Sequence, residues 1–213
     1  MVRVTNTGEY EGEKETGRLE AFSDGVFSIA ITLLVLDIKV PRAPDLVGQS
    51  NLTGALLRQW PTYVAYVLSF VTVLIMWTNH HKLFQHIRRS NHTFLMINGM
   101  LLMLVTLVPF PTAMLAEHVS HHEATTAAAI YSGMFVMIAV LFNVLWHYAS
   151  HQGRLLARGH DREAVAFITR QYRFGPILYF VAFLLAFVYV PASVGVCAFL
   201  AGFFALPETK KNR

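Results

Sequence analysis

Residues 18–40, RLEAFSDGVFSIAITLLVLDIKV, limit what this chain can fold into more than any other stretch. From Val26 to Leu36 the run carries only Ser28 and Thr32 as polar residues. With its flanks it is long enough, at about 1.5 Å per residue, to cross most of a bilayer core of about 30 Å. An arginine, a serine and an aspartate (Arg18, Ser23, Asp24) stand at the mouth of this apolar helix, and polar groups entering hydrocarbon are costly. Composition agrees with lipid as the solvent: 54% of residues are hydrophobic and 14% charged, against about 25% charged in soluble domains. The expected fold is therefore an all-α integral membrane protein.

Further spans follow along the chain. The second, roughly 60–84, opens on Trp60-Pro61, where proline suits a first helical turn and tryptophan an interface. The third, roughly 91–116, contains Pro109 and Pro111, which should kink or end it. The fourth covers roughly 124–149. The block 174–206 is too long for one simple span, and Pro191 at its middle divides it into two short helices joined by a tight turn. Six transmembrane helices with both termini cytoplasmic put fourteen of the 17 basic residues inside and leave Lys39, Arg42 and Arg58 outside, as the positive-inside rule requires. The net charge of +4 is thus explained by membrane orientation, and no nucleic-acid partner is expected. Three regions result: a polar, Glu-rich cytoplasmic tail over 1–17 with no cleavable signal, a six-helix domain over 18–207, and a basic cytoplasmic tail over 208–213. Within 154–173, Val165, Ile168 and Tyr172 recur at helical spacing among arginines, which reads as a basic interfacial helix capped by Asp161 or as a plain linker helix.

In the first helix Ile29, Leu33 and Leu36 fall within about 60° of one another at 100° per residue, one stripe that serves helix packing or something more specific. Gly25, Ser28 and Ala30 permit close helix contact. Asp24 needs a partner, with Arg18 the nearest candidate and the second-helix histidines as others. Among the other histidines, His118, His121 and His122 precede Glu123 but lack a cysteine or carboxylate frame for zinc, and His147 and His151 sit at a helix end. The single Cys197 lies in an apolar run and is a core residue. No metal site, cofactor or enzyme activity is expected, since no nucleophile–base pair or phosphate loop is present.

Arg18-Leu-Glu-Ala-Phe22-Ser23-Asp24 matches the R-x-x-x-F-S-D signature of the transmembrane protein 175 family, the endosomal and lysosomal potassium channels and their prokaryotic relatives. Trp77-Thr-Asn79-His80-His81-Lys-Leu-Phe resembles that family's second-helix pattern, and Pro109-Phe110-Pro111-Thr112 is similar to its third-helix segment. For a single six-helix repeat the resemblance implies a homotetramer in a prokaryotic plasma membrane, its first helices lining a central pore for potassium and other monovalent cations. It implies a constriction at Ile29 with Leu33 and Leu36 as outer layers, in place of a carbonyl filter. A ring of such side chains gates by dewetting. Thr32 either offers its hydroxyl to the pore or bonds back to a carbonyl one turn earlier. Asp37 either makes a negative outer vestibule or pairs with Lys39 or Arg42. His80 and His81 are expected to bond to the Arg18–Ser23–Asp24 cluster, where protonation would couple acidity to gating. The rivals are a secondary transporter, which would need polar, broken helices near the midplane, and a haem protein using histidine ligands.

Overall fold

The computed structural model describes residues 11–41, 51–157, 159 and 161–205, and for residues 11–15, 204 and 205 the backbone alone. The expected tail at 208–213 lies outside the described residues. Eight α-helices account for almost all of the described chain. They are α1 (Glu11–Leu33), α2 (Leu52–Arg58), α3 (Trp60–His86), α4 (His92–Leu107), α5 (Pro109–His118), α6 (Ala124–Ser150), α7 (Arg162–Ala186) and α8 (Val190–Ala205). A 3-10 turn, Leu34–Asp37, continues α1.

Local chemistry sets most boundaries. Pro61 stands in the first turn of α3. Asn91 caps α4 by accepting from the Phe94 amide at 3.0 Å. Asp161 caps α7 by accepting from the Glu163 amide at 2.8 Å, the cap read from the sequence. Pro109 has no amide to continue α4, so the helix stops at Leu107 and restarts as α5. Within α5 the Val108 carbonyl accepts from both the Thr112 amide, at 3.2 Å, and the Thr112 hydroxyl, at 2.8 Å.

Three boundaries differ from the sequence reading. The first helix begins at Glu11, so the last residues of the expected polar tail are helical, and its α geometry ends at Leu33 rather than near residue 39. The expected interfacial helix is not separate: α7 runs unbroken from Arg162 to Ala186 through Pro176. That proline removes the amide that would bond the Tyr172 carbonyl, and the Asn143 side chain of α6 donates to this carbonyl instead, at 2.8 Å. The turn before Pro191 is present, with residues 187–189 between α7 and α8, and the Ser193 hydroxyl donates to the Ala182 carbonyl at 2.7 Å across it.

Four helical segments are long and apolar enough to cross a membrane: Thr16–Asp37, Trp60–His86, His92–His118 and Ala124–Gly153. The other two expected spans correspond to α7, whose first half is charged, and α8, whose 16 residues reach about 24 Å. The surface carries exposed Met96, Met100, Met103 and Leu107 along α4 and Ile177, Phe180 and Leu184 along α7, as lipid contact requires. α6 is the central post, packed against α4, α5, α7 and α8.

At the end of the bundle where α3 and α6 finish and α4 starts, the two connecting loops are joined. Ile87 and Leu156 form an isolated antiparallel bridge. The Arg88 and Arg89 amides both donate to the Leu155 carbonyl, at 3.0 and 3.2 Å, and the Ala157 amide donates to the His86 carbonyl at 3.1 Å. Gln152 (φ 56°) and Gly153 (φ 66°) are both left-handed and throw the chain back after α6.

Candidate functional site

α1 has two unlike sides. Ser23, Phe27, Ala30 and Leu34, at i, i+4, i+7 and i+11, are buried against α3, α4 and α5. The opposite side is bare. Phe22 is 64% exposed, Ile29 58%, Leu33 40% and Leu36 69%. The stripe recognised by periodicity is therefore the face of α1 that its own chain leaves uncovered.

The 3-10 turn adjusts this stripe. In a continuous α-helix Leu36 would stand about 60° back from Leu33, whereas three residues at 3.0 per turn bring it into line. Ile29, Leu33 and Leu36 then form three layers about 6 Å apart. Thr32 is exposed beside them, and its hydroxyl donates to the Ile29 carbonyl at 2.9 Å, so the back-bonded arrangement is the one present.

The inner side of α1 is held by polar bonds confined to less than two turns. The Trp77 indole N–H donates to Asp24 Oδ1 at 2.8 Å. His81 Nδ1 lies 2.9 Å from Glu20 Oε1, an ion pair when the histidine is protonated. Glu20 and Asp24 are one turn apart on α1, as are Trp77 and His81 on α3, whose rings stack at 6.0 Å. The antiparallel helices thus match two i, i+4 pairs. Deeper, Ser23, His80 and Asn98 are fully buried. The Asn98 amide donates to Ser23 Oγ at 3.0 Å, and Ser23 donates onward to the Leu19 carbonyl at 2.8 Å. His80 Nε2 donates to Asn98 Oδ1 at 2.8 Å, leaving His80 Nδ1 buried without a partner. The His80 ring lies among Phe27, Phe84 and Phe142, with centroids 5.3, 4.6 and 6.4 Å away.

These contacts revise the expected cluster. Arg18 makes no ion pair with Asp24, because six helical residues separate them by about 120°. Arg18 stands exposed on the bare side with Phe22, at the rim of a cleft of about 550 Å³ that also touches Ser90, Asn98 and Gly99. Neither second-helix histidine bonds to Asp24: His80 reaches Ser23 only through Asn98, and His81 goes to Glu20. Asn79 belongs to neither set and lines a small internal cavity of about 50 Å³ with Thr72, Phe142 and Tyr172. Asp37 is half-buried beside a cavity of about 380 Å³ that includes Arg58, Thr62 and Glu117. It forms no ion pair with Lys39, and its Oδ2 is buried without a partner among the described residues; Arg42 lies outside the described residues.

Other polar residues are occupied locally. Ser69 donates to the Thr112 hydroxyl at 2.8 Å and meets the Tyr131 hydroxyl at 3.2 Å, closing the gap beside the α4–α5 break. His118 turns back to the Met114 carbonyl at 3.0 Å, and His122 meets Glu123 at 3.2 Å. Among the described residues no group of three or more His, Cys, Asp or Glu side chains is placed to hold a metal ion. Two contributors had no assigned role in the sequence reading, Glu20 and Asn98. The repeated one-turn spacing of 20/24 and 77/81 was the available signal for the first. Asn98, a lone amide in an apolar run, offered none.

Fold and site together define a helical membrane protein with one helix gripped along its polar side and bare along its aliphatic side. The family described as Endosomal/lysosomal potassium channel TMEM175 matches residues 18–109, the segment holding the signature and its α3 and α4 partners. A protein of Chamaesiphon minutus named as a potassium channel is 56% identical over 194 residues, covering 91% of this chain and 95% of that protein. One of Streptomyces collinus, also named as a potassium channel, is 44% identical over 197 residues, covering 91% and 94%. The crystal structure titled as a lysosomal potassium-selective channel TMEM175 homolog from Chamaesiphon minutus superposes with a TM-score of 0.83 at 53% identity, covering 90% of this chain and 97% of that one. The chain belongs to the TMEM175 family, a family of channels and not of enzymes.

Proposed function

We propose that this protein is a potassium-permeable cation channel whose pore is lined by α1 from four copies of the chain. The carrying observation is the bare aliphatic stripe on a helix whose opposite side is pinned by buried polar bonds. Lipid covers apolar faces such as those of α4 and α7, but on α1 the aliphatic stripe stands in register opposite buried polar bonds that fix which way it faces, as a ring of copies requires. Beside the stripe, Ala21, Gly25 and Ser28 are exposed and small, which lets the backbones of neighbouring first helices approach. In this reading Ile29 makes the narrowest layer, Leu33 and Leu36 follow outward, and the closed ring excludes water until it widens. Thr32 adds its acceptor oxygen beside Ile29. Asp37, with an unpartnered carboxylate oxygen, contributes negative charge at the outer mouth.

The same reading completes the topology. α7 and α8 cross as the fifth and sixth spans, both termini are cytoplasmic, and the protein resides in a prokaryotic plasma membrane with lipid and monovalent cations as its partners. No resident cofactor is required for passive conduction.

Ion flux from liposomes holding the purified protein tests this, with potassium, sodium and caesium compared. The expected result is passive, non-saturating flux with potassium exceeding sodium. Flux that saturates with potassium and depends on a counter-ion gradient refutes the channel in favour of a secondary transporter.

A further inference from the structure

We propose that the arginine knot formed by loops 87–91 and 151–157 binds the phosphate of an anionic phospholipid at the membrane surface. The proposal rests on the membrane location alone and stands whether or not α1 lines a pore.

The bridge between Ile87 and Leu156 fixes the pairing of the two loops. Leu155 accepts from both the Arg88 and Arg89 amides, so these two arginines and Arg154, the residue before Leu155, are gathered where the loops meet. Like charges gathered in one place repel one another. Among the described residues the ion pairs are His81–Glu20 and His122–Glu123, and neither reaches this knot. The arrangement gathers positive charge that no described acidic side chain neutralises.

The guanidinium groups of Arg89 and Arg154 are held in place. Arg89 Nη2 donates to the Leu156 carbonyl at 3.3 Å, which uses one of its N–H groups and leaves the rest free. Arg154 lies over the Tyr148 ring, 4.7 Å from its centroid, so the in-plane N–H edges remain available. The Tyr148 hydroxyl is anchored in turn by Asn91, whose amide donates to it at 3.0 Å. Arg88, Arg89 and Arg154 are all exposed. Fixed, outward guanidinium edges suit a phosphate, which accepts two parallel N–H bonds from each.

Position selects the source of that phosphate. The knot joins the ends of α3, α4 and α6, three segments long enough to span a bilayer, so it stands at headgroup depth. Tyr148 is an interfacial aromatic at the same level. A lipid phosphate is always present there, whereas a soluble anion must be captured from dilute solution.

The test uses the full-length protein purified in neutral detergent, with adducts counted by native mass spectrometry as phosphatidylglycerol or phosphatidylcholine is added. Phosphatidylglycerol should bind preferentially. R89Q/R154Q should weaken it about thirtyfold, two interactions of about 1 kcal/mol each. R170Q/R173Q removes the same charge from α7 and should change it less than threefold. Equal binding of the two lipids, equal loss in both variants, or equal displacement by free glycerol phosphate would each overturn the proposal. On the wild-type protein, photoactivatable phosphatidylglycerol should label peptides 86–91 and 151–157, and labelling confined to other peptides refutes it even if the double variant does not fold.

Discussion

Replacing Asn98 by leucine should destabilise the protein by about 2 kcal/mol, and replacing His80 by phenylalanine in the same chain should restore most of it. Asn98 serves two partners unequally. Ser23 keeps its bond to the Leu19 carbonyl when the amide is removed and loses only a donor. His80 loses the acceptor for Nε2, and its other ring nitrogen is already without a partner. A buried donor left unsatisfied costs about 1–3 kcal/mol, while replacing both partners by apolar groups of similar shape is nearly neutral. Phenylalanine at position 80 meets the rings of Phe27, Phe84 and Phe142, so the apolar pair fits its surroundings. Thermal unfolding in detergent micelles, followed by tryptophan fluorescence, should fall by about 4–8 °C for Asn98→Leu. The double variant should recover to within about 2 °C of wild type. A single variant that melts like wild type, or a double variant whose losses add, would refute the claim that His80 depends on this amide.

Ile29→Asn should wet the constriction, raise liposome current and reduce the preference for potassium over sodium, with Ile29→Ala acting the same way more weakly; unchanged conduction in both removes Ile29 from the pore. Trp77→Phe keeps the ring but strips the donor from Asp24, and should lower stability by about 1–3 kcal/mol in chemical unfolding, an effect that Arg18→Gln should not reproduce. Asn143→Leu leaves the Tyr172 carbonyl unpaired and should cost about 1 kcal/mol, whereas adding Pro176→Ala returns a backbone amide and should recover it; loss without recovery would mean that Asn143 acts by packing.

Signals carried by neighbouring residues were legible before any coordinates. The bare stripe of α1 follows from a 3.6-residue period, the α4–α5 break from a missing amide at Pro109, the start of α7 from the Asp161 side chain. Contacts between distant residues were not. Asn98 meets His80 and Ser23 across 18 and 75 residues, and periodicity says which side of a helix is apolar without saying which neighbour covers it. Arg18 and Asp24 looked paired because they are close in sequence, yet helical rotation parts them. The unbroken run of α7 through Pro176 was not legible either, because its rescue comes from Asn143, 33 positions earlier in another helix. Leu36 belongs to the stripe by α-helical period alone, and what that period does not contain is the 3-10 turn that brings it into line with Leu33.

The bonds that tie Glu20, Ser23 and Asp24 of the first helix to α3 and α4 lie below Gly25. Above that glycine, the buried Phe27, Ala30 and Leu34 have side chains that can form no hydrogen bond to their neighbours. Hydrocarbon surfaces slide with little penalty, whereas a buried hydrogen bond either holds or breaks. The helix is consequently stepped like a mast, fixed at its foot and free to lean at its head. In the proposed pore, a change of aperture at Ile29 and beyond can proceed while Ser23 and Asp24 stay where they are.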